Sequence, residues 1–509
     1  MAALLRRIPA ALRRLPWWRF AAGVVSGAAA LVLTLLLRAL GLGLFLPEIA
    51  MDFAVDRLPG SVETFFIRTM GEGAKAFGLL VAVLVFLALA GAYALPYRAL
   101  ERRIRHRWVL LAVVAFGYAA AVLLAILPVL GGGLLGTATR TGAGFAAFSQ
   151  VLAGLIYAAT LDHLLVDVAA RHPEGFRPSR RQFVVGLGIL FFGAAVALAG
   201  FGALVARTAR LTFASVEELF ANEVTPNETF YRVTKNLIDP EVDRAAWRLS
   251  VDGLVATERT HTLDELEALL GVSEFVTLEC ISNEVGGDLI SSAKWTGIRL
   301  SDLIAAAGAD PMADWVAFTC ADGYTVGVPL SRAMRPESLL ALQMNDAGLP
   351  SSHGAPARIV VPGLYGMFHA KWVERITLVQ GEFVGYWQQK GWSNVGTIRT
   401  TTIITTPAPD SVVRGPVRIA GVAFAGNRGV SRVEVRVAPE QSWQEATRYP
   451  PRSGATWVLW TWDWTPPAPG SYHIFARAVD GAGANQESAG APPFPDGAAG
   501  YDSITLLVA

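Results

Sequence analysis

Long apolar stretches near the start of the chain constrain its fold more than any other feature. Five of them lie near residues 20–46, 74–95, 108–130, 145–168 and 183–205. About 20 apolar residues cross the hydrocarbon core of a bilayer as a helix, and a helix satisfies its own backbone hydrogen bonds there. The sequence therefore predicts a transmembrane region of five helices over residues 1–210, with Arg38 interrupting the first stretch.

Basic residues predict how these helices are oriented. Arginines are concentrated before the first stretch and in the second and fourth loops, whereas the first and third loops are poorer in them. They are Arg6, Arg7, Arg13, Arg14, Arg19, Arg98, Arg102, Arg103, Arg105, Arg107, Arg171, Arg177, Arg180 and Arg181. Cytoplasmic loops carry the excess of Lys and Arg, so the N-terminus is predicted to lie inside. Five spans then place residues 211–509 on the extracytoplasmic side of the cytoplasmic membrane.

A short segment directly before the fifth stretch bears on the same question. Residues 179–184 read SRRQFV and are similar to a twin-arginine export signal. A plain positive-inside flank of the fifth helix is the alternative, and the residues by themselves leave both interpretations open.

Histidines bear on whether the membrane region carries electrons. Bound haem commonly needs paired axial ligands such as histidine. Of the seven histidines in the chain, only His163 falls within a predicted span, beside Asp162. We interpret the spans as an anchor without haem, and as a candidate docking surface for a membrane quinone or a cytochrome.

The rest of the chain has the polarity of soluble protein and room for two domains, at roughly 100–200 residues each. The net charge of +1 gives no indication of nucleic-acid binding, and two cysteines exclude a disulfide-stapled scaffold or a cysteine-rich metal cluster. Alternation predicts a strand over 247–254, and Asp322-Gly323 predicts a hairpin over 315–329. Thr262 and Glu265 form a capping-box pattern at the start of a short helix.

One cysteine stands where a strand meets a loop. The apolar run Phe275–Leu278 predicts a buried strand that delivers Cys280 to a loop of small and turn-prone residues, Ser282, Asn283, Gly286 and Gly287. A short helix should follow, with Ser301 as its N-cap and Gly308 just past its end. The residues around Cys280 allow three interpretations: a disulfide with Cys320, plain buried packing, or ligation of a metal.

This stretch resembles the cofactor loop of the sulfite-oxidase-type molybdopterin enzymes, in which such a cysteine ligates molybdenum. Two further segments extend the resemblance: residues 340–363, LALQMNDAGLPSSHGAPARIVVPG, and residues 366–372, GMFHAKW. The resemblance implies Mo-molybdopterin as cofactor, Cys280 as the metal ligand and Arg232 as an anion-binding residue at the mouth of the site. It also implies cofactor contacts from Asn227, Tyr231, Arg232, His353, Arg358, His369, Ala370 and Lys371. A phosphate dianion on the pterin suits Arg and Lys donors.

From residue 400 onward the sequence changes to short alternating segments broken by Gly and Pro. Strands are predicted over 412–423, 430–437, 457–464, 472–479 and 503–508, which suggests an all-β sandwich. Tryptophans should fill its core and rim: Trp443, Trp457, Trp460, Trp462 and Trp464. The segment is similar to the immunoglobulin-like dimerisation domain of the same family, which implies a homodimer through residues 400–509. A carbohydrate-binding sandwich is the alternative.

The sequence thus predicts three parts: a transmembrane region over 1–210, an α+β molybdopterin domain over 211–399 and an immunoglobulin-like sandwich over 400–509. The function implied is two-electron oxygen-atom transfer on a small S- or N-containing substrate. Where sulfite oxidases carry two arginines after the cysteine motif, this chain has Glu284 and Val285, and Leu342 replaces a tyrosine. These departures favour reduction of a sulfoxide or N-oxide over oxidation of sulfite. A true sulfite oxidase and a non-catalytic anchored binding module are the alternatives.

Overall fold

The computed structural model describes residues 17–59, 62, 65–66, 73–139, 141–168, 210–236, 239–439 and 442–509. The chain divides into two compact units, Met1–Arg57 with Met70–Val205 and Leu58–Thr69 with Ala206–Ala509. The fifth predicted membrane stretch and the twin-arginine segment lie outside the described residues, so both stay predictions.

Apolar helices dominate the first unit. They are α1 (Trp17–Ala39), α2 (Leu46–Arg57), α3 (Gly73–Tyr93), α4 (Tyr97–Arg103), α5 (Arg107–Ala120), α6 (Leu127–Val129) and α7 (Gly142–Asp162), with π-helical turns at Ala121–Ile126 and His163–Val168. In the described part of the chain, four helical segments are long and apolar enough to cross a membrane: Trp17–Ala39, Phe77–Arg103, Arg107–Val129 and Gly142–Val166. These four correspond to the first four predicted stretches.

Arg38 explains why the first helix is shorter than predicted. Helix α1 ends at Ala39, and the Arg38 guanidinium donates to the carboxylate of Glu48 on α2, with Nε 3.0 Å from Oε2. The stretch predicted to run to residue 46 therefore contains a turn and the start of a second helix, which the hydropathy pattern did not indicate. Asp162 at the end of α7 also has an arginine partner. Its buried carboxylate accepts a hydrogen bond from Arg107 Nε at 2.8 Å.

Small residues let these helices approach one another closely. A side chain at Gly154 would collide with the carbonyl of Ala115, and one at Gly27 would collide with Ala90. Close backbone approach at small residues is the usual way that helices associate in lipid, where burial of apolar surface supplies little driving force.

The second unit contains a molybdopterin-domain-like α+β region built on two sheets. The first sheet has the order β2-β1-β10-β5-β6, in which β1 and β10 are parallel and the other pairs are antiparallel. Its strands are β1 (Arg248–Gly253), β2 (Arg259–Thr262), β5 (Trp315–Cys320), β6 (Thr325–Pro329) and β10 (Val373–Val379). The second sheet has the order β3-β4-β7-β8, with β9 pairing β7. Its strands are β3 (Val272–Glu279), β4 (Ile290–Arg299), β7 (Leu339–Met344), β8 (Ala347–Gly348) and β9 (Arg358–Val360).

Short helices connect these strands, and their ends can be compared with the predicted capping residues. They are α8 (Val216–Ala221), α9 (Leu263–Glu267), α10 (Leu300–Ala307), α11 (Leu330–Ala333) and α12 (Tyr386–Gln389). The capping box of Thr262 and Glu265 forms as predicted, and Gly308 ends α10 in the left-handed conformation with φ +70°. The prediction of Ser301 as N-cap is wrong, because α10 begins at Leu300 behind Arg299 and has no side-chain cap.

Two further sheets form the C-terminal β region. One has the order β11-β13-β17-β16 and the other β12-β19-β18-β14-β15. Their strands are β11 (Thr401–Thr406), β12 (Val412–Val413), β13 (Val417–Phe424), β14 (Val430–Ala438), β15 (Gln444–Glu445), β16 (Thr447–Arg448), β17 (Val458–Trp464), β18 (Gly470–Asp480) and β19 (Asp502–Val508). One buried cluster contains residues of both sheets, among them Trp460, Val433 and Ile504.

The predicted tryptophans do not all serve this core. Trp460, Trp462 and Trp464 lie in the cluster between the sheets, whereas Trp457 belongs to a second cluster shared with the molybdopterin-domain-like region. The Trp457 indole donates from Nε1 to the Glu223 carbonyl at 2.9 Å. Trp443 is half-buried, and the Arg477 guanidinium stacks on its ring at 4.4 Å.

Candidate cofactor site

The loop that carries Cys280 is closed by hydrogen bonds at its base and inside. Strand β3 ends at Glu279, and the Cys280 amide donates to the Leu289 carbonyl at 2.9 Å, which continues the β3–β4 ladder by one bond. Inside the loop, the Asn283 amide donates to the Cys280 carbonyl at 3.0 Å, and Asn283 Oδ1 accepts from the Leu289 amide at 3.0 Å. The Cys280 backbone is therefore fixed on both sides.

Both cysteines are free thiols, so the interpretation of Cys280 and Cys320 as a disulfide is wrong. Cys320 packs in the main hydrophobic cluster of the molybdopterin-domain-like region. Cys280 instead lines a cavity, with its Sγ 3.0 Å from Ser282 Oγ. Burial raises the pKa of the Cys280 thiol. A thiolate at this position would consequently need a cation beside it, and a bound metal supplies one.

The cavity next to Cys280 has an empty volume of about 920 Å³, including the open space at its mouth. Seven of the nine predicted site residues line it: Tyr231, Arg232, Cys280, His353, Arg358, His369 and Lys371. The other two lie behind its wall. Asn227 accepts from His353 Nε2 through its carbonyl at 2.9 Å, and the carbonyl of buried Ala370 accepts from the Ile359 amide at 2.8 Å. These two residues support the lining and do not form part of it.

The residues that line the cavity carry four cationic side chains and one carboxylate. The cations are Arg232, Lys235, Arg358 and Lys371, and the carboxylate is that of Asp322. Arg358 is the most deeply buried cation, 6% exposed; its Nη1 donates to the His353 carbonyl at 3.2 Å, and its guanidinium lies 5.1 Å from the centre of the Trp295 ring. Burial lowers the pKa of Arg358 to about 10, which still leaves the group protonated at neutral pH. Arg232 is half exposed, 3.8 Å from Asp239.

The two histidines of the lining are neutral and have different bonding. Burial lowers the pKa of His353 to about 4 and that of His369 to about 3. His369 Nδ1 accepts from the Val361 amide at 3.2 Å, so its Nε2 carries the proton and donates to the Leu364 carbonyl at 3.0 Å. Because both ring nitrogens of His369 are used by the backbone, this residue shapes the wall rather than offering a nitrogen to a ligand. Nε2 of His353 must likewise carry the proton that it donates to Asn227, which leaves its Nδ1 as an acceptor.

The structure adds lining residues that the sequence did not indicate. Trp387 and Trp392 come from the segment around α12, and Met367 and Ile281 complete an apolar side of the cavity. Tyr324 lines it as well and donates from its hydroxyl to the Met367 carbonyl at 2.6 Å. Only the aromatic density of residues 383–392 could have marked this wall in the sequence.

The substrate argument based on Glu284 and Val285 does not fit the geometry. Neither residue lines the cavity, and Val285 lies beside Gly500 of the C-terminal region. Ser282 is the loop residue that reaches the cavity together with Cys280 and Ile281. Leu342, which replaces a tyrosine in the resemblance, is buried in the hydrophobic cluster. The exchange at positions 284 and 285 therefore does not decide between sulfite and a neutral oxide.

Several features of the cavity fit a molybdopterin. Cys280 offers a soft sulfur donor, and no group of three or more His, Cys, Asp or Glu able to hold a metal occurs in the described residues. Arg358 lines the cavity, and its buried Nε has no hydrogen-bond partner in the structure, which suits an anionic ligand group. Gly366 allows the Tyr231 hydroxyl to approach its backbone closely in the cavity wall, because a side chain at position 366 would collide with that hydroxyl.

Comparisons with known proteins agree with this assignment. Residues 236–387 match the family model described as the oxidoreductase molybdopterin binding domain. The mitochondrial sulfite oxidase of Mus musculus is 33% identical over 315 residues, covering 52% of this chain and 57% of that protein. The putative protein-methionine-sulfoxide reductase subunit YedZ1 of Azospira oryzae is 32% identical over 156 residues, covering 31% of this chain and 58% of that protein. This chain thus spans a little over half the length of these curated relatives.

Among solved structures, the sulfane dehydrogenase SoxCD of Paracoccus pantotrophus aligns with a TM-score of 0.47 and 24% identity, over 52% of this chain and 75% of that one. The family match and the cysteine-bearing cavity define a molybdopterin-binding oxidoreductase domain. Residues 236–387 therefore belong to the molybdopterin-binding oxidoreductase domain family, and the chain is similar to sulfite-oxidase-type molybdopterin oxidoreductases.

Proposed function

We propose that the chain is a membrane-anchored, molybdopterin-dependent oxidoreductase that transfers an oxygen atom to or from a small S- or N-containing substrate on the extracytoplasmic side. The observation that carries this proposal is the placement of the Cys280 thiol in one cavity with Arg232, Arg358 and Lys371. Cys280 would hold the metal, and the basic side chains would hold the anionic part of the cofactor. When bound, the cofactor supplies two-electron redox chemistry with exchange of an oxo group.

In this proposal the residues of the chain bind and orient the cofactor and the substrate, and they exclude water from the cavity. Lys371 Nζ donates to the Ser352 carbonyl at 3.2 Å and lies 4.3 Å from the centre of the Trp372 ring, so its charge is held at the cavity wall. His353 and His369 are neutral at physiological pH and add no charge to the wall. Trp387, Trp392 and Met367 form the apolar side, which would exclude water from a bound substrate.

The apolar side favours a neutral sulfoxide or N-oxide as substrate. Reduction of such an oxide takes two electrons and two protons and releases one water, with the electrons supplied by a membrane quinol, which becomes quinone, by a reduced cytochrome or by an artificial donor. Trp387, Trp392 and Met367 can contact the carbon substituents of such a molecule, which sulfite lacks.

Sulfite oxidation is the second candidate, and a different observation favours it. Arg232 and Lys235 both line the cavity, and Arg232 is half exposed, so an oxyanion would meet cationic donors on entry. Efficient turnover of sulfite, beside little reduction of neutral oxides by the same preparation, would select this alternative.

Metal and pterin analysis of the purified full chain tests the proposal. We expect about one molybdenum and one pterin per chain in wild-type protein, because the cavity presents one soft sulfur ligand and one basic wall. Elemental analysis and pterin fluorescence after release provide the two measurements. Active, folded protein without molybdenum would refute the proposal, and a folded, metal-free and inactive wild type would favour a non-catalytic anchored binding module.

The proposed topology makes a separate prediction. The arginine distribution and residues 179–184 place Ala509 outside the cytoplasmic membrane, so a reporter that is active only after export should be active when fused behind Ala509. Replacing Arg180 and Arg181 by lysine keeps the charge but should trap the catalytic unit inside if the segment is a twin-arginine signal. Unchanged export of the double variant would support the plain positive-inside flank, and an inactive wild-type fusion would contradict the topology.

We also propose that residues 400–509 form an immunoglobulin-like sandwich through which two copies associate. Val412 and Leu507 lie opposite each other on the parallel strands β12 and β19 and are exposed apolar residues. Strand β12 is an edge of its sheet and β19 is its neighbour, so these two exposed apolar residues are a suitable contact for a second chain.

A further inference from the structure

A buried ion pair lies under the tip of the cysteine loop. The Arg210 guanidinium donates from Nη2 to the Asp502 carboxylate and to the Ile404 carbonyl, the latter at 3.1 Å. Asp502 also accepts from the Ile404 amide at 2.8 Å, and its side chain is only 3% exposed. The pair therefore joins three segments that are far apart in the chain: residue 210, strand β11 and the first residue of strand β19.

The tip of the loop rests directly on this pair. The Leu211 amide donates to the Gly286 carbonyl at 3.2 Å, and Arg210 forms an isolated antiparallel bridge with Gly287. Gly286 has φ +79°, and a side chain there would collide with both the Arg210 guanidinium and the Asp502 carboxylate. Glycine at position 286 is thus required both by backbone conformation and by the close approach of two charged groups.

The inner hydrogen bonds of the loop connect its tip to Cys280. The Gly287 amide donates to the Glu284 carbonyl at 2.9 Å, and Asn283 bonds both the Leu289 amide and the Cys280 carbonyl. Movement of residues 286 and 287 would disturb these bonds, and the Cys280 carbonyl and amide would move with them. Because Arg210 and Leu211 both bond the tip, the ion pair that holds residue 210 also restrains the tip.

We infer that Arg210 and Asp502 are positioning residues for Cys280: their buried pair holds the tip of the loop so that the thiol stays in the cavity. The metal-holding part of this inference rests on the proposed function. The ligand of a metal must keep its direction within narrow limits, and partners that orient ligands commonly change metal affinity when they are removed.

The chain offers a matched control. Arg428 and Asp480 form a second ion pair in the C-terminal region, with Arg428 Nε 2.9 Å from Asp480 Oδ2 and the aspartate side chain 5% exposed. Arg428 also donates to the Ile398 carbonyl and to Thr400 Oγ1. The two pairs have similar burial, and both aspartates lie at ends of strands in the C-terminal β region. The Arg428–Asp480 pair, however, makes no hydrogen bond to the cysteine loop among those that the structure shows.

Hydrogen exchange in the cofactor-free full chain tests the positioning role. In Asp502→Asn, the amides of residues 281–289 should exchange on the order of tenfold faster, the factor that about 1.4 kcal/mol of local opening produces. The hairpin Trp315–Pro329 should exchange at its wild-type rate, and Asp480→Asn should leave residues 281–289 unchanged. Arg210→Lys, which keeps the charge, should show a smaller effect and serves if Asp502→Asn does not fold. Equal acceleration of the loop in both aspartate variants, or none in Asp502→Asn and Arg210→Lys, would overturn the inference.

Metal retention provides the second readout. During gel filtration, Asp502→Asn should lose molybdenum faster than Asp480→Asn, even when the two variants have the same thermal unfolding midpoint. Equal retention of molybdenum in both would contradict the link to the metal ligand. A wild type without molybdenum would refute the proposed function instead, while the exchange experiment would still decide whether the pair holds the loop.

Discussion

Replacing Cys280 by alanine should abolish turnover, with a loss on the order of 10³-fold or more. The reason is that Cys280 carries the one thiol among the residues that line the cavity; the other sulfur there is the thioether of Met367. Loss of a partner that merely orients a metal ligand typically costs 10- to 100-fold, so loss of the ligand itself should cost more. Initial rates with an artificial electron donor and molybdenum content per chain are the two measurements.

Cys320→Ala is the matched control, because both cysteines are buried free thiols and the chain has no others. Removing the Cys320 sulfur from the hydrophobic cluster should cost stability, roughly 1 kcal/mol for a small buried group, yet leave activity within a few-fold of wild type. Cys280→Ala should unfold near the wild-type temperature when both are compared without cofactor. Full activity in Cys280→Ala, or equal loss of activity in the two variants at equal stability, would contradict the assignment.

Local patterns predicted the elements that place Cys280. An apolar run predicted strand β3, the capping box predicted α9, and Asp322-Gly323 predicted the turn between β5 and β6. Each of these depends on residues a few positions apart, where backbone preference and burial act together. The resemblance then added Arg358 and Lys371 as cofactor contacts; both line the cavity, and their contact with a cofactor stays a prediction.

Contacts between distant segments were beyond the sequence. Trp392 reaches the cavity wall with its ring 5.1 Å from that of Phe494, and the Ser393 amide donates to the Pro495 carbonyl at 3.1 Å. Nothing in the local sequence shows that residues 494–495 support residues 392–393. The same reason explains why Arg210 and Asp502, 292 positions apart, could not be paired from the sequence. It also explains why Val285 was used in the substrate argument although it does not line the cavity.

The two histidines show a different limit. His353 and His369 were both predicted as cofactor contacts from their places in the motifs, yet only His353 has a ring nitrogen not bonded by the backbone. A residue type and its spacing indicate that a side chain is near a site. They do not show whether its polar atoms are already used by the fold, which depends on the path of the surrounding backbone.

Arg358→Met should weaken retention of the cofactor by about 10- to 100-fold. A hydrogen bond to a charged group contributes roughly 1.5–3 kcal/mol, and each 1.4 kcal/mol corresponds to a factor of ten. Arg358 lines the cavity and its buried Nε has no hydrogen-bond partner, so the guanidinium has donor capacity that the fold does not use. Molybdenum and pterin per chain after extended dialysis measure the loss, and Arg358→Lys, which keeps a positive charge without the planar fork, should lie between wild type and Arg358→Met.

The same substitution should not lower the thermal stability of the protein without cofactor. The Arg358 side chain is 6% exposed, and none of the ion pairs among the described residues includes it. A buried charge without a counter-ion destabilises the folded state, and methionine of similar length can fill the same space beside Trp295. We therefore expect the thermal unfolding midpoint of cofactor-free Arg358→Met to equal or exceed that of cofactor-free wild type, while the loaded variant unfolds below loaded wild type. A lower midpoint in both states would show that Arg358 serves the fold rather than the cofactor, and undiminished retention would remove it from the site.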